Sequence, residues 1–193
     1  MGLTSEEILQ VFRETGALLE GHFILTSGLH SATYFQCAKV FQYSWHGETL
    51  CKDIADSFQD ERIDVVVSPA VGGIVVGQEI GRLLRIRSIF TERVGGEMAL
   101  RRGFEVTAGE RVLVAEDVTT TGGSVREVID VVKDRGGEIV AVAAVVDRSG
   151  GKARFSDPYF SLLQMEVVNY SPEECPLCKS GSVAVKPGSR GLK

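Results

Sequence analysis

The stretch at residues 112–125, VLVAEDVTTTGGSV, constrains the fold more than any other part of the sequence. Four consecutive apolar residues are followed by two acids, and then by threonines, glycines and a serine. From Val125 onward, apolar residues recur at helical spacing with charged residues on the opposite face. The apolar run predicts a fully buried strand, and the periodic segment predicts an amphipathic helix that Gly136 and Gly137 end.

The acids Glu116 and Asp117 and the Thr/Gly segment are expected on the loop between this strand and this helix. Open α/β sheets bind ligands at the carboxyl ends of their strands. Glycine backbone N–H groups, hydroxyl donors and the positive end of a helix together form a phosphate cradle. The residues predicted to bind a ligand here are Val118, Thr119, Thr120, Thr121, Gly122, Gly123 and Ser124.

The acids beside this predicted cradle favour a ligand that carries both a phosphate and a sugar. Carboxylates can accept hydrogen bonds from ribose hydroxyls, and they can face positive charge that develops on a sugar during reaction. The segment contains neither the Gly-Lys-Ser/Thr of a P-loop nor the Gly-x-Gly-x-x-Gly of a dinucleotide site. The alternative is an ordinary strand–loop–helix unit with a polar turn.

A second strand–glycine turn–helix unit is predicted at residues 64–84. The buried strand at residues 64–70 runs into Val71, Gly72 and Gly73, and a helix follows at residues 74–84. Both glycine turns fall at the same end of the sheet, which is consistent with a second anion site. The alternative is a tight turn that needs glycine for its geometry alone.

The remaining segments complete an alternation of helices and strands. Residues 4–19 open with a capping box and form a helix, and the long polar connection at residues 95–109 contains a short hairpin that uses Phe104 and Val106. The other predicted elements are a hairpin at 21–38, a helix at 44–61, and strands at 88–94, 138–147 and 159–168.

Composition limits the class of protein. A chain of 193 residues with ordinary hydrophobic content favours one domain, residues 1–193, and a net charge of −5 argues against a nucleic-acid partner. No apolar run approaches membrane-spanning length, and the acidic N-terminus is unlike a signal peptide. We therefore expect no membrane partner and a cytoplasmic location.

The four cysteines do not indicate a disulfide framework. Cys175 and Cys178 form a Cys-x-x-Cys pair, which is half of a zinc site, but Cys37 and Cys51 lack the spacing of further ligands. A redox role lacks the expected placement before a helix at the start of a βαβ unit. We interpret the pair as structural or incidental, name no metal ligand, and expect His30 to be an exposed turn residue.

Residues 112–124 resemble the 13-residue phosphoribosyl pyrophosphate (PRPP) signature of type I phosphoribosyltransferases. That signature has four apolar residues, two acids, two variable residues and Thr-x-Gly-x-Ser/Thr, here with Thr120, Gly122 and Ser124. The resemblance implies an α/β fold with a mainly parallel twisted sheet of about five strands, flanking helices and a small N-terminal β hood. The hood falls at approximately residues 20–40, and residues 150–193 form a C-terminal extension.

The predicted hairpin resembles the hood of orotate phosphoribosyltransferases, with a lysine of the family replaced by Thr26. The residues that carry this resemblance are Phe23, Leu25, Ser27, Gly28, Tyr34 and Phe35. It implies that Ser27, Tyr34 and Phe35 contact orotate or line its pocket, while an aromatic pair that fills the hood core is the alternative for the last two. By the same resemblance, Arg148, which follows the strand at residues 138–147, holds the orotate carboxylate.

Two further segments take roles from the resemblance. Val71, Gly72 and Gly73 match the pyrophosphate loop, and the connection at residues 95–109 matches a mobile catalytic loop. Arg93, Arg101 and Arg102 are then candidates to neutralise the departing pyrophosphate. Residues 92–109 contain no lysine. Because arginine does not readily release a proton, the role implied is charge stabilisation. A solvated arginine pair is the alternative.

The activity that the resemblance implies is the reaction of PRPP with orotate to give orotidine 5′-monophosphate and pyrophosphate. It also implies Mg²⁺ as cofactor, Glu116 and Asp117 as catalytic residues, and a homodimer with a shared active site. One alternative is a phosphoribosyltransferase for a purine or uracil, which would offer Arg148 no carboxylate. The other is a regulator that keeps the fold as a PRPP sensor.

Overall fold

The computed structural model describes residues 2–25 and 28–187. The elements in chain order are α1 Ser5–Glu14, β1 Leu18–Ile24, β2 His30–Phe35, α2 Ala38–Phe41, α3 Ser44–Ser57, β3 Val65–Pro69, α4 Gly72–Leu84, β4 Arg87–Val94, β5 Glu97–Leu100, β6 Arg111–Thr119, α5 Gly123–Lys133, β7 Glu138–Asp147, β8 Tyr159–Gln164, β9 Asn169–Tyr170 and α6 Pro176–Lys179.

A six-stranded sheet in the order β5-β4-β3-β6-β7-β8 forms the centre of the molecule. Its pairs are parallel except for β5, which is antiparallel to β4. Every residue of β3 is buried, as expected of a strand covered on both faces. The mainly parallel α/β fold is therefore confirmed, and the carboxyl ends of β3, β6 and β7 meet at one edge.

Helices cover both faces of the sheet, since its buried side chains divide into two apolar clusters. One cluster includes α1 through Phe12, α3 through Leu50 and α4 through Ile80. The other includes α5 through Val128 and Val132.

The capping box of α1 is present, because the Thr4 hydroxyl accepts from the backbone of Glu7 and the Glu7 carboxylate accepts from the backbone of Thr4. None of the helices described is both long and apolar enough to cross a membrane.

A second, three-stranded sheet in the order β1-β2-β9 forms the hood. The predicted hairpin is confirmed in β1 and β2, which pair antiparallel. The third strand, β9, comes from the C-terminal segment and pairs Asn169 and Tyr170 with the start of β2. The C-terminal segment therefore folds back on the hood.

The structure corrects the prediction for residues 95–109. The hairpin there is formed by β4 and β5 and turns at Gly95 and Gly96, both with positive φ. Phe104 and Val106 lie in no strand. Phe104 instead packs its ring against Phe90, with centroids 5.1 Å apart, and Val106 is buried. Their alternation reflects burial beneath the sheet edge and not strand pairing.

One prediction about the hood was also wrong, and the cysteine pair has neighbours that the sequence did not indicate. His30 is not an exposed turn residue, because it begins β2 and is only 7% exposed. Cys175 and Cys178 have two further metal-ligating groups beside them, His22 and His30. These histidines are distant from the pair in sequence, and their spacing gives no sign that they join it.

Candidate active site

The paired acids lie at the end of β6 and not on the loop after it. The strand continues to Thr119, because its pairing with β7 runs through Glu116 opposite Ala144 to Thr119 opposite Asp147. The loop proper is therefore limited to Thr120, Thr121 and Gly122 before α5 begins. The acids are held by sheet hydrogen bonds, which makes their positions more rigid than a loop would.

The acid pair is tightly packed and shares backbone contacts. Glu116 is only 8% exposed, and its Oε1 accepts from the backbone N–H of Asp117 at 3.1 Å. The Oδ1 of Asp117 accepts from the backbone N–H of Val118 at 2.9 Å. Burial, and then the adjacent negative charge of Asp117, raises the pKa of Glu116 well above its ordinary value.

The glycine turn after β3 lies directly against these acids. A Cβ built on Gly72 would fall 2.5 Å from Oδ2 of Asp117, and one built on Gly73 would fall 3.1 Å from Oε1 of Glu116. A methyl group at the first position would displace the carboxylate, so this turn needs glycine for close approach. The second predicted anion loop thus meets the acid pair of the first, and Val71 beside it is 81% exposed.

The raised pKa of Glu116 predicts a pH-dependent cost in stability. The folded chain holds the Glu116 proton more tightly than the unfolded chain. The contribution of Glu116 to the free energy of unfolding therefore falls as the pH rises above 4.5, the ordinary pKa of a glutamate. Glu116→Gln removes the titration. We expect its melting temperature to exceed that of the parent more at about pH 8 than at about pH 5. Thermal unfolding without Mg²⁺ or substrates measures this, and an equal difference at both pH values would contradict it.

The loop between β6 and α5 forms a pocket at the N-terminus of a helix. The pocket is lined by Glu116, Val118, Thr119, Thr120, Thr121, Gly122, Gly123, Ser124 and Val125. Gly122 is the N-cap of α5 with φ of 77°, and a Cβ there would lie 2.8 Å from the ring of Phe155. The first N–H groups of a helix lack intrahelical acceptors, and a phosphate can accept from them. The Thr119 side chain is almost fully buried, so the exposed hydroxyl donors come from the later residues.

Arg126 braces this loop from α5, a role that the sequence did not reveal. Its Nη1 donates to the carbonyl of Thr121 at 2.7 Å, and its Nη2 donates to the carbonyl of Arg154 at 2.9 Å. The guanidinium also lies over the ring of Phe155, 5.3 Å from the centroid. In the sequence, Arg126 lies on the polar face of a predicted helix, and that position gives no sign of these contacts.

Arg148 follows β7 at the same edge of the sheet. Its backbone N–H donates to the carbonyl of Thr119 at 2.8 Å, and its guanidinium lies over the ring of Phe35, 5.4 Å from the centroid. The Nε atom is buried and has no hydrogen-bond acceptor among the residues described. Burial lowers the pKa of Arg148, as expected of a cation removed from water. A buried donor of this kind needs a hydrogen-bond acceptor, which a bound ligand can supply.

Charged groups from two strands surround one buried thiol. Burial raises the pKa of Cys37 well above its ordinary value, and its charged neighbours are Asp117, Arg148 and Glu116. The two acids of β6 and the arginine after β7 therefore lie near this thiol, which follows β2 of the hood. Acids and a cation thus occupy the same region at the edge of the sheet.

The three candidate arginines differ in what they contact. Arg93 forms an ion pair with Glu127 at 2.8 Å, and Arg102 forms one with Glu92 at 2.8 Å. The hydrogen bonds from Arg102 lower the pKa of Glu92. Within the part of the chain that the structure describes, the Arg101 side chain forms neither a hydrogen bond nor an ion pair, although its charge helps to lower the pKa of Glu92. Its guanidinium is therefore more available to a ligand than those of Arg93 and Arg102.

Known proteins share both the sequence and the fold. Residues 46–177 match the family model of the phosphoribosyl transferase domain. The orotate phosphoribosyltransferase of Chlorobium phaeobacteroides (strain DSM 266) is 58% identical over 183 residues, which are 95% of each chain. That of Caldicellulosiruptor bescii is 55% identical and covers 97% of this chain and 99% of the relative. The chain belongs to the orotate phosphoribosyltransferase family.

Solved structures of the orotate phosphoribosyltransferase family share the architecture. The enzyme from Aeropyrum pernix superimposes with a TM-score of 0.71 at 23% identity, covering 82% of this chain and 94% of that one. The enzyme from Mycobacterium tuberculosis H37Rv gives a TM-score of 0.68 at 28% identity, covering 82% and 95%. The type I phosphoribosyltransferase fold predicted from residues 112–124 is therefore confirmed.

The hood residues expected to contact orotate in this family have different surroundings. Phe35 is buried, packs edge-on against Phe12 with centroids 5.6 Å apart, and supports Arg148 from below. Tyr34 is half-buried and lies beside Phe23. Ser27 lies outside the described residues. Phe35 thus has a packing role, whether or not it also contacts a ligand. For Phe35 this is consistent with the alternative given above, in which the aromatic pair fills a core.

Proposed function

We propose that this protein transfers the 5-phosphoribosyl group from PRPP to orotate, giving orotidine 5′-monophosphate and pyrophosphate. The observation that carries this proposal is Arg148, a half-buried guanidinium whose buried Nε has no partner among the residues described and which lies near the acid pair. Orotate has a carboxylate that would pair with it, whereas uracil and the purine bases have none. The close relatives named for this activity support the same substrate.

Each loop has a distinct part in the proposed reaction. The N-terminus of α5 and Thr120, Thr121 and Ser124 bind the 5′-phosphate. Glu116 and Asp117 accept from the ribose hydroxyls and favour positive charge at C1. The bond from C1 to the pyrophosphate oxygen breaks with its electron pair on pyrophosphate, and a ring nitrogen of orotate bonds to C1 and releases its proton to water. Positioning and electrostatics account for this catalysis without a covalent intermediate.

The site suits Mg²⁺ as a cofactor. Carboxylate oxygens are the ligands that this hard cation takes from proteins, and the pocket is lined by Glu116 with Asp117 next to it in β6. Because Gly72 packs against Asp117, there is little room for a cage of protein ligands, and most of the ligands would be water and PRPP oxygens. When bound, Mg²⁺ neutralises charge on the departing pyrophosphate. Glu116 and Asp117 are the side chains that would face it.

The free guanidinium of Arg101 makes it the preferred candidate to meet pyrophosphate. Arg101→Ala is expected to lower kcat by about tenfold or more, since a cation that contacts only the transition state is lost. Arg102→Ala is the matched control and should have a smaller effect, because Glu92 already holds Arg102. Steady-state kinetics with saturating PRPP and orotate measure both. A larger loss in the Arg102 variant would reverse the assignment.

The resemblance also supports a homodimer whose catalytic loop completes the partner's site, and a cytoplasmic location. The exposure of Arg101 is consistent with such a loop, because a side chain without an internal partner can reach a neighbouring subunit.

Turnover distinguishes the proposal from a PRPP sensor. Purified full-length protein with PRPP, MgCl₂ and orotate should consume orotate and form orotidine 5′-monophosphate, followed by ultraviolet absorbance and chromatography. PRPP binding in calorimetry without turnover would favour the sensor, and turnover of a different base would remove the role assigned to Arg148.

A further inference from the structure

Four metal-ligating side chains meet in the hood and not at the carboxyl ends of the main sheet. His22 lies on β1, His30 begins β2, Cys175 caps α6 and Cys178 lies within it. Their ligand atoms all lie within 4.8 Å of one another. Both histidines and Cys175 are buried, while Cys178 reaches the surface. We propose that this cluster binds one structural Zn²⁺ ion.

The distances suit a tetrahedral ion. Zinc–sulfur bonds of about 2.3 Å and zinc–nitrogen bonds of about 2.0 Å give tetrahedral edges of about 3.5 Å between sulfur and nitrogen and about 3.3 Å between nitrogens. His22 Nε2 lies 3.5 Å from Cys175 Sγ and 3.6 Å from Cys178 Sγ, and His30 Nδ1 lies 3.3 Å from Cys178 Sγ. The two nitrogens are 2.8 Å apart, so they need to separate by about half an ångström to admit the ion.

A backbone carbonyl prepares His22 for this role. Nδ1 of His22 lies 3.0 Å from the carbonyl oxygen of Ser182. Since a carbonyl only accepts, Nδ1 carries the proton, and the neutral ring presents a lone pair at Nε2. Zinc-bound histidines are oriented in this way by a second hydrogen bond. Without a metal, the single lone pair at His22 Nε2 would have three neighbouring donors, His30 and the two thiols. One lone pair cannot accept good hydrogen bonds from all three.

The chemistry of the four groups selects zinc over the cation proposed for the active site. Two imidazoles and two thiolates are ligands of structural zinc, whereas Mg²⁺ takes oxygen ligands. Two thiolates also balance the charge of a divalent ion, so the closed site would be neutral and its burial would carry little electrostatic cost. The exposed edge at Cys178 gives the ion a path to enter.

The ion would fasten the C-terminal segment to the hood. That segment already pairs β9 with β2, and Val185 exchanges two backbone hydrogen bonds with β1, donating to His22 and accepting from Ile24. These few contacts hold a short strand and a four-residue helix, which are marginal alone. A metal that joins β1, β2 and α6 would make the hood and the segment one unit. The inference does not depend on the transferase activity.

Metal analysis of the intact protein tests the site. Full-length protein purified under reducing conditions, without a histidine tag, should contain about one zinc per chain. After the metal is removed and Co²⁺ is added, the spectrum should show the visible bands of tetrahedral cobalt and the near-ultraviolet charge transfer of cobalt–thiolate bonds. This spectrum reports sulfur ligation even if ligand variants fail to fold. Chelation should also lower the melting temperature.

Variants locate the metal. Cys178→Ser and His30→Gln should lose most of the bound zinc. The matched controls Cys51→Ala and His46→Gln change a cysteine and a histidine of α3, outside the cluster, and should keep it. Failure of the reduced, folded chain to take up Zn²⁺ or Co²⁺ would overturn the proposal, and so would zinc that both ligand variants retain. A Cys175–Cys178 disulfide in protein that takes up no zinc after reduction would assign the pair to redox chemistry instead.

Discussion

Replacing Arg148 with methionine should raise the KM for orotate by on the order of 100-fold, because it leaves the orotate carboxylate without its guanidinium partner at a cost of about 3 kcal/mol. Methionine keeps an apolar stem against Phe35, so the packing beneath the guanidinium is largely preserved. Arg148→Lys keeps the charge but loses the planar fork, and we expect an intermediate KM. Initial rates at varied orotate and saturating PRPP measure both variants.

The KM for PRPP is the internal control for the Arg148 variants. It should change by less than about threefold, since the guanidinium faces the base and not the phosphate. A general loss of structure would raise both constants, and melting temperatures would reveal it. An unchanged KM for orotate in Arg148→Met would show that the unpaired Nε is not the recognition group.

Replacing Asp117 with asparagine should lower kcat by about tenfold or more, which corresponds to about 1.4 kcal/mol or above of transition-state stabilisation. The substitution keeps the size of the side chain, so the close contact with Gly72 is retained. What is lost is the negative charge that faces the developing positive charge at C1. Single-turnover measurements with saturating PRPP and orotate isolate this step from product release.

Glu116→Gln is the matched control for Asp117→Asn. Burial, and then the adjacent charge of Asp117, raises the pKa of Glu116, so removing its charge is expected to disturb the site less than the same change at Asp117. We therefore expect a smaller loss of kcat than in the Asp117 variant. An unchanged kcat/KM in Asp117→Asn would remove Asp117 from the mechanism.

Features encoded by local pattern could be predicted from the sequence. The apolar run at residues 138–147 matches β7 to the residue, because a strand buried on both faces is marked by its own composition. The Thr4 and Glu7 capping box set the start of α1 in the same way. The pocket at residues 118–124 was anticipated because the residues that line it are contiguous in the chain.

Features that depend on distant partners could not be predicted. The acids were placed on a loop because polarity usually ends a strand, but pairing with β7 extends β6 through them. The metal-ligating cluster was missed for a related reason. Its cysteines are close in sequence, but His22 and His30 lie far from them, in the N-terminal part of the chain, and are eight positions apart, outside the usual spacing. Only the fold of the C-terminal segment onto the hood brings the four together.

The most direct test of the central claim compares kcat/KM for orotate and uracil at fixed PRPP and Mg²⁺. The two bases differ by the carboxylate assigned to Arg148, so the proposal predicts a preference for orotate of on the order of 1,000-fold or more, and the preference should collapse in Arg148→Met. Equal use of both bases, or faster turnover of adenine, hypoxanthine or guanine in the same assay, would contradict the assignment of orotate.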